Sequence, residues 1–466
     1  MNILLMIADD LGRMAGCYGD PCIKTPHIDA LAAEGTRFDM AFTSTASCSA
    51  SRSVIYTGLH THETGQYGLH HGYHHFMTFE DVPTAPALLN NAGYHTGIIG
   101  KVHVGPREVY PWQHREESRT RDVQWVADRT RDYLSKRKEE AQPFFLTVGF
   151  IDPHRDGTRG GFGNEEFGDL DPVVSPDAVH VPPFLPDIGE VRTELAEYYR
   201  SVHRLDRGIG MILEALSELG LADDTLVVFL SDNGAPFLNS KTTLFDAGVH
   251  LPLIMRKPGQ KAGIANPNLV SFTDILPTFL DVAGATPNPD KRQGRSLLPI
   301  LEKTTEQPGW DRVFGSHTFH EVTNYWPTRF MRTARYKYHR NVAWQLDFPF
   351  SGDLYGSLSW QGIRRQDPVM IGDRPIRDYL RRPPEELYDL DADPGEVNNL
   401  ADDPAHEGLL HDCRAALEDW QKRTRDPWLY RDGVSVMAVE HHLSHGLSLP
   451  DRFDFDPDDP APQASD

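Results

Sequence analysis

MNILLMIADD, residues 1–10, is the stretch on which the reading of the whole chain turns. Ile3–Ala8 is a short, unbroken apolar run of the type expected of a parallel strand buried on both faces. It ends on two adjacent aspartates, Asp9 and Asp10. A strand with no polar face that opens directly onto two carboxylates poses two questions: what covers the strand, and what the charges are for.

The following segments answer the first. TPHIDALAAEG (25–35) reads as a helix, with Thr25 able to cap it, Pro26 in the first turn and Gly35 at its end. TAPALLNNAG (84–93) is a second helix and YHTGIIG (94–100) a strand. VQWVADRTRDYLSKRKEE has helical spacing, and PFFLTVGF (143–150) is another buried strand. RTELAEYYRSVHRLDRGIGMILEALSELG is a long amphipathic helix ending at Gly220, followed by the strand and polar turn DTLVVFLSDNG (224–234). Strands alternating with helices predict an α/β fold with a doubly wound, mostly parallel sheet.

After about residue 310 the pattern changes. RVFGSHTFHEV, TRFMRTARYKYHRN and ELYDLDADPGEVNNL look like shorter, partly antiparallel strands, and PAHEGLLHDCRAALEDWQKRTRD like a late helix. The expected organisation is a catalytic α/β domain over 1–310, a smaller C-terminal α+β subdomain over 311–450, and an acidic, Pro-rich tail over 451–466.

Composition narrows the function classes. The chain has 466 residues, 39% of them hydrophobic, enough for a sizeable core. Its formal net charge of -22 argues against binding nucleic acid or anionic membranes, so an anionic substrate needs a local basic pocket. Four cysteines (Cys17, Cys22, Cys48, Cys413) make no disulfide framework and show no zinc-ribbon spacing. No Asn-x-Ser/Thr sequon occurs, the N-terminus lacks the basic flank of a signal peptide, and no apolar stretch reaches membrane-spanning length. The expectation is a cytoplasmic protein.

In a parallel sheet, functional groups gather beyond the carboxyl ends of the strands. The first strand leads into Asp9 and Asp10; GKVHVG supplies Lys101 and His103; IDPHRDG supplies Asp152 and His154; SDNG supplies Asp232 and Asn233, with Lys241 shortly after. Any one of these alone is an ordinary turn former or solvated charge. Four ionisable strand ends on one edge of one sheet are a different matter. Asp9, Asp10, Asp232 and Asn233 are hard oxygen donors suited to Ca²⁺ or Mg²⁺ rather than zinc. Lys101, His103, His154, Lys241 and Arg52 are cations or proton donors, which a tetrahedral oxyanion needs as charge builds on its oxygens.

Two further stretches stand out. GLHTHETGQYGLHHGYHHF holds six histidines (His60, His62, His70, His71, His74, His75), but lies on no predicted strand end and has no helical zinc spacing; packing or a pocket wall is the leading reading. GSHTFHEVTNYWPTRFMRT (315–333) is a candidate pocket wall, with His320, Glu321 and, from the earlier strand end, Asp152 assigned to substrate binding.

Cys48-Ser-Ala-Ser-Arg52, followed by SVIYTG, resembles the type I sulfatase signature, whose cysteine is converted after translation to formylglycine. Asp9-Asp10, GKVH, DPH and SDNG occur in the order of that family, and ELYDLDADPGEVNNLADDP is similar to its C-terminal signature. TGLHTHETGQYGLHHGYHHF, GIIGKVHVGP, PFFLTVGFIDPHRDG, SDNGAPF and VFGSHTFHEV resemble the heparan N-sulfatases (sulfamidases) in particular. Three letters depart from the pattern: Ala50 where most members have Pro, Lys241 where sulfamidases tend to have Arg, and Asp156 in place of a cysteine common in sulfamidases.

The resemblance implies an alkaline-phosphatase-like fold and release of sulfate from an N- or O-sulfated sugar. It implies that Asp9, Asp10, Asp232 and Asn233 hold Ca²⁺ (Mg²⁺ or Mn²⁺ as alternatives), with the modified Cys48 as a further ligand. Formylglycine would hydrate to a diol whose hydroxyl attacks sulfur; Arg52 would hold the nucleophile loop, and Lys101 and Lys241 would neutralise sulfate oxygens. His154 would protonate the leaving atom, and His103 would help re-form the aldehyde. The partners so implied are a formylglycine-generating maturase and a small anionic substrate, a sulfated sugar or an aryl sulfate; a homodimer is the oligomeric expectation. Rival readings are a broad arylsulfatase, a phosphonate monoester or phosphodiester hydrolase of the same superfamily, and a glycan-binding protein with a dead site.

Overall fold

Strand β1 (Asn2–Ala8) lies inside an eight-stranded sheet, which answers what covers it. The computed structural model describes residues 1–140, 142–156, 161–167, 173–285 and 292–429; the expected tail over 451–466 and the last residues of the expected subdomain lie outside them. The other strands of the sheet are β2 (Thr36–Phe42), β3 (His95–Gly100), β4 (His114–Glu117), β5 (Phe144–Gly149), β6 (Thr225–Ser231), β7 (Leu253–Arg256) and β8 (Ile264–Ser271). Their spatial order is β4-β3-β5-β1-β6-β7-β2-β8. Only β7 is reversed, running antiparallel to both β6 and β2. The expected doubly wound, mostly parallel sheet is the one observed.

Alternate side chains of β1 enter two separate cores. Leu4, Met6 and Ala8 pack with the helices Pro26–Glu34, Val123–Lys138 and Gly189–Glu218. Ile3, Leu5 and Ile7 pack on the other face with Cys48–Thr57, Ala85–Asn91 and Ile275–Val282. A strand with both faces covered carries no polar alternation, which is why the run reads as continuous. The 30-residue helix Gly189–Glu218 buries Leu195, Tyr198, Val202, Leu205, Ile209, Ile212 and Leu216 at spacings of three and four, one continuous stripe. The expected cap at Thr25 is not made. Its hydroxyl instead accepts from the Gly16 amide and donates to Asp29, tying the preceding loop to the helix.

The C-terminal part builds a second, antiparallel sheet from β9 (Arg312–His317), β10 (Thr328–Thr333), β11 (Tyr336–Asn341) and β14 (Glu385–Asp389), in the order β14-β11-β10-β9. A short ribbon, β12 (Met370–Ile371) with β13 (Arg374–Pro375), precedes β14. The helix Glu407–Arg423 covers the sheet through Leu410, Cys413, Leu417 and Trp420. This part is sewn to the first: the Ser316 amide donates to the Ser44 carbonyl at 2.8 Å, and His317 meets Thr45 at 3.1 Å. Part of the histidine run lies in that seam. His60 and His62 stack on each other and meet Trp420 edge-on, with centroids 4.9 and 5.5 Å away, and the Trp420 indole donates to His60.

These seam histidines are buried and uncharged. Burial pushes His62 down to about 4 and His317 to about 3, and holds His60 well below its ordinary value. A histidine depressed in the folded state contributes stability that is complete above its unfolded value, near 6.5, and is lost as pH falls through the folded value. We therefore expect the seam histidines' contribution to the urea midpoint to be flat above pH 6.5 and to fall steeply between pH 6 and 4, with His62 alone accounting for roughly 3 kcal/mol at the acid limit. His62→Gln should flatten that slope; an unchanged slope would remove the seam from the explanation of acid sensitivity.

Candidate active site

Strands β3, β5, β1 and β6 are neighbours and parallel, so their carboxyl ends open onto one edge. Backbone bonds continue past the strands and fix the spacing there: Asp232 N to Ala8 O at 3.0 Å, Asp9 N to Asp152 O at 3.2 Å, and Lys101 N to Gly149 O at 2.7 Å. The approach at the last pair demands glycine. A Cβ on Gly100, whose φ is 84°, would lie 2.2 Å from the Gly149 carbonyl oxygen, and one on Gly149 would lie 2.1 Å from that of Lys101. Beyond the edge, Asp10 and His103 take left-handed φ values of 62° and 60°. Both are uncommon for residues with a side chain and turn the chain sharply at the site.

The helix Cys48–Thr57 begins at this edge. Cys48 is in its first turn and Arg52 one turn later, so both reach the same centre. Ala50 also lies in the first turn, where either alanine or proline fits a helix. Arg52 is fully buried; its Nε donates to Asp232 Oδ2 at 2.8 Å and its Nη1 to the Lys101 carbonyl at 3.2 Å. Oxygens of Asp9, Asp10 and Asp232 lie within 4.8 Å of one another, all three residues buried. Lys101 pairs with Asp9. Lys241 lies between Asp10 and Asp353, 2.8 Å from a carboxylate oxygen of each and 3.2 Å from His154 Nε2.

Charge sets the chemistry. Burial opposes ionisation of Asp9, but Lys101, His154 and Arg52 outweigh it and hold the carboxyl well below the usual carboxylate range. Burial and then the neighbouring Asp9 push Asp232 up to about 7, against Arg52 and Lys101. Burial opposes the charge on Lys241, yet Asp10 and Asp353 keep it firmly protonated. Burial, followed by Lys241, keeps His154 below its ordinary value. Burial, then Asp9 and Asp232, push the Cys48 thiol up to about 12 against Lys101 and Lys241. Among these protein groups alone, Cys48 as a thiol is a poor nucleophile at neutral pH.

Two buried oxygens at the centre have no hydrogen-bond partner: Asp9 Oδ1 and Asn233 Oδ1. Asn233 donates its amide N–H to Asp10 Oδ1 at 2.6 Å, which leaves that carbonyl oxygen over. Orphaned buried oxygens beside three carboxylates are the donor set of a hard divalent cation. The residues present therefore fit Ca²⁺ or Mg²⁺, held by Asp9, Asp10, Asp232 and Asn233.

Cys48, Arg52, Lys101, His154, Lys241 and the four oxygen donors thus converge. His103 adjoins them, interacting electrostatically with Lys101 and Arg52, while its Nε2 lies 3.0 Å from His71 Nδ1. His320 is buried with Nδ1 2.9 Å from the Ser47 hydroxyl, so it braces the residue before Cys48. Asp152, expected to bind substrate, has both of its carboxylate oxygens engaged by protein groups. Arg121, Arg204 and Ser201 take its Oδ1 at 2.6, 2.9 and 3.0 Å, and Arg204 Nε takes its Oδ2 at 2.6 Å. With 1% of its surface exposed, it is the counter-ion that holds two arginines under the site. Asp156 adds to that network through Arg121 at 3.0 Å. Glu321 accepts from the Gly352 amide through Oε1 at 3.1 Å, which ties it to the turn carrying Asp353.

Asp353 is the residue the sequence reading missed. It lies in FPFSGDLYG, past the change of pattern at residue 310 and far from any strand end, and no local signal marks it. For the ion pair under Cys48, Arg52→Ala leaves Asp232 buried without its partner. The expected loss is about 3–5 kcal/mol in the metal-free protein, read from the urea midpoint. A loss below about 1 kcal/mol, the range of exposed pairs, would mean the pair is not buried as described.

Residues 1–285 match the sulfatase family, and residues 237–347 match the family described as N-sulphoglucosamine sulphohydrolase, C-terminal. The human N-sulphoglucosamine sulphohydrolase is 39% identical over 467 residues, covering 93% of this chain and 92% of its own length. An ulvan-active sulfatase of Formosa agariphila is 30% identical, covering 96% of this chain and 85% of its own. Among solved structures, a protein in complex with D-glucosamine-2-N,6-O-disulfate has a TM-score of 0.69 at 22% identity, covering 91% of this chain and 98% of that one. The phosphonate monoester hydrolase of Agrobacterium radiobacter has a TM-score of 0.68 at 20% identity, covering 91% and 96%. At those identities the two structures speak to the fold, which is alkaline-phosphatase-like. With a family match over most of its length and a relative of 39% identity along nearly all of it, the chain belongs to the sulfatase family of hydrolases.

Proposed function

We propose that this chain is a sulfamidase that releases sulfate from N-sulfated glucosamine, using a formylglycine made from Cys48 by a maturase and a hard divalent cation, Ca²⁺ first. The observation that carries the reading is the pair of orphaned oxygens, Asp9 Oδ1 and Asn233 Oδ1, in a centre where Arg52, Lys101 and Lys241 already surround Cys48. The N-sulfated substrate class rests on the human relative and on the C-terminal family match. A formylglycine at position 48 would supply the nucleophilic oxygen, and the cation would make it more acidic and draw charge from the sulfate.

The chain's own residues do the rest. Arg52 fixes the first helical turn against Asp232, so position 48 cannot swing away from the edge. Lys101 and Lys241 present ammonium groups to the negative charge that builds on the sulfate oxygens in the transition state, fixed before it arrives and therefore without reorganisation cost. Cleavage of an N–S bond leaves an amine that must gain a proton. His154 Nε2, 3.2 Å from the protonated Lys241, is the group through which that proton passes. Uncharged His103, near Lys101 and Arg52, is the base. The balance is one sulfamate and one water giving one ammonium group and one sulfate.

Two measurements follow. Sulfate release from N-sulfoglucosamine should exceed release from a synthetic aryl sulfate by at least roughly tenfold in kcat/KM. The reverse order would make the protein a broad arylsulfatase. Asp353→Asn removes one of the two carboxylates that aim Lys241 and should lower kcat by on the order of tenfold with little change in KM. An unaltered kcat would show that Asp10 alone positions Lys241.

A further inference from the structure

The histidines between Gly58 and Phe76 divide between two places. His60 and His62 belong to the packing under Trp420, whereas His70 and His71 fold over His103. One nitrogen from each of His70, His71 and His103 lies within 4.8 Å of the other two. His71 Nδ1 is 3.0 Å from His103 Nε2, with the two rings stacked at 5.0 Å and 27°. The His70 ring meets His103 edge-on at 5.2 Å. Two imidazole nitrogens at that spacing either share a proton or occupy two corners of a coordination tetrahedron, since bonds of about 2.0–2.1 Å place two ligands about 3.3 Å apart.

Three further observations favour the second possibility. His70 Nδ1 and His103 Nδ1 are buried and have no hydrogen-bond partner. All three rings are unprotonated at neutral pH, because burial first, and then neighbouring cations and histidines, hold His70 and His71 at about 4 and His103 well below its ordinary value. The His103 backbone is held at a φ of 60°, so its ring is fixed over the other two at some conformational cost. His74 packs edge-on to His71, but its Nδ1 already accepts from the Val322 amide. An all-imidazole donor set selects Zn²⁺, Cu²⁺ or Ni²⁺ and not the hard cation of the carboxylate centre.

We propose that His70, His71 and His103 form a second metal site, separate from Asp9, Asp10, Asp232 and Asn233, which takes Zn²⁺ and switches the enzyme off by claiming the ring of His103. Binding requires only the three histidines; inhibition rests in addition on the role proposed above for His103. No covalent step is involved, and chelation reverses the effect.

The test uses the mature, Ca²⁺-loaded protein with Ca²⁺ in excess throughout. ZnCl₂ is titrated against sulfate release, and CoCl₂ is titrated as a spectroscopic probe whose visible absorption reports a low-coordinate nitrogen site. The expected result is inhibition that saturates near one equivalent, with a cobalt band of the same stoichiometry. His71→Asn removes a ligand outside the catalytic groups. Measured relative to the variant's own uninhibited rate, it should weaken both zinc inhibition and the cobalt band at least roughly tenfold. His70→Gln serves as the second variant should the first fold poorly. Inhibition that survives in both variants places zinc at the carboxylate centre and overturns the proposal, as does a protein that shows no cobalt band. A cobalt band that depends on His71 without inhibition keeps the metal site but refutes the part assigned to His103.

Discussion

Three carboxylates, Asp9, Asp10 and Asp232, are buried within a few ångströms of one another at the edge of a sheet. Taking charges of one sign out of water costs several kcal/mol each unless partners are supplied. Here the partners come from three separate parts of the chain: Arg52 from the helix after β2, Lys101 from the end of β3, and Lys241 from the loop after β6. The sheet, the helix Cys48–Thr57 and the loop after β6 must all be in place for the carboxylates to be buried at all. Assembling the site and completing the fold are in that sense one event.

The same arrangement explains why the charges do not simply cancel. Each cation covers one carboxylate oxygen or shares a second acceptor, and oxygens of Asp9 and Asn233 remain without hydrogens pointed at them. A site finished for stability alone would have satisfied them. The unfinished hydrogen bonding is the mark of a ligand, and hard oxygens in a carboxylate cage name its class. The C-terminal part is a participant as well. Asp353 reaches Lys241 from beyond β11, and Glu321 secures the turn that carries it. The C-terminal part therefore helps position the Lys241 ammonium.

Much of this was legible in the letters, and for a physical reason. Strands buried on both faces leave unbroken apolar runs, so β1, β5 and β6 and the polar residues at their carboxyl ends stand out without any knowledge of packing. A parallel topology then brings Asp9, Lys101, His154 and Asp232 together automatically. What stayed hidden depends on contacts between distant segments. Asp152 looks like any other strand-end acid; only the helix Gly189–Glu218 shows that Arg204 has taken it. Asp353 sits on a four-residue helix with no periodicity to read. Thr25 has the chemistry of a cap, but the loop at Gly16 competes for its hydroxyl and wins. The histidine run looked like one feature and is two, because the chain turns between His62 and His70 and sends its halves to different neighbours.

The account stands or falls on position 48. A buried thiol pushed up to about 12 is ill suited to attack at neutral pH, which is the physical ground for the formylglycine proposed at that position. The most direct measurement is the mass of the peptide containing Cys48, taken from protein whose turnover has been measured on the same sample. The account predicts that the sulfur and two hydrogens are replaced by one oxygen in a fraction of molecules that tracks specific activity. Full activity in protein whose Cys48 is entirely an unmodified thiol would contradict it.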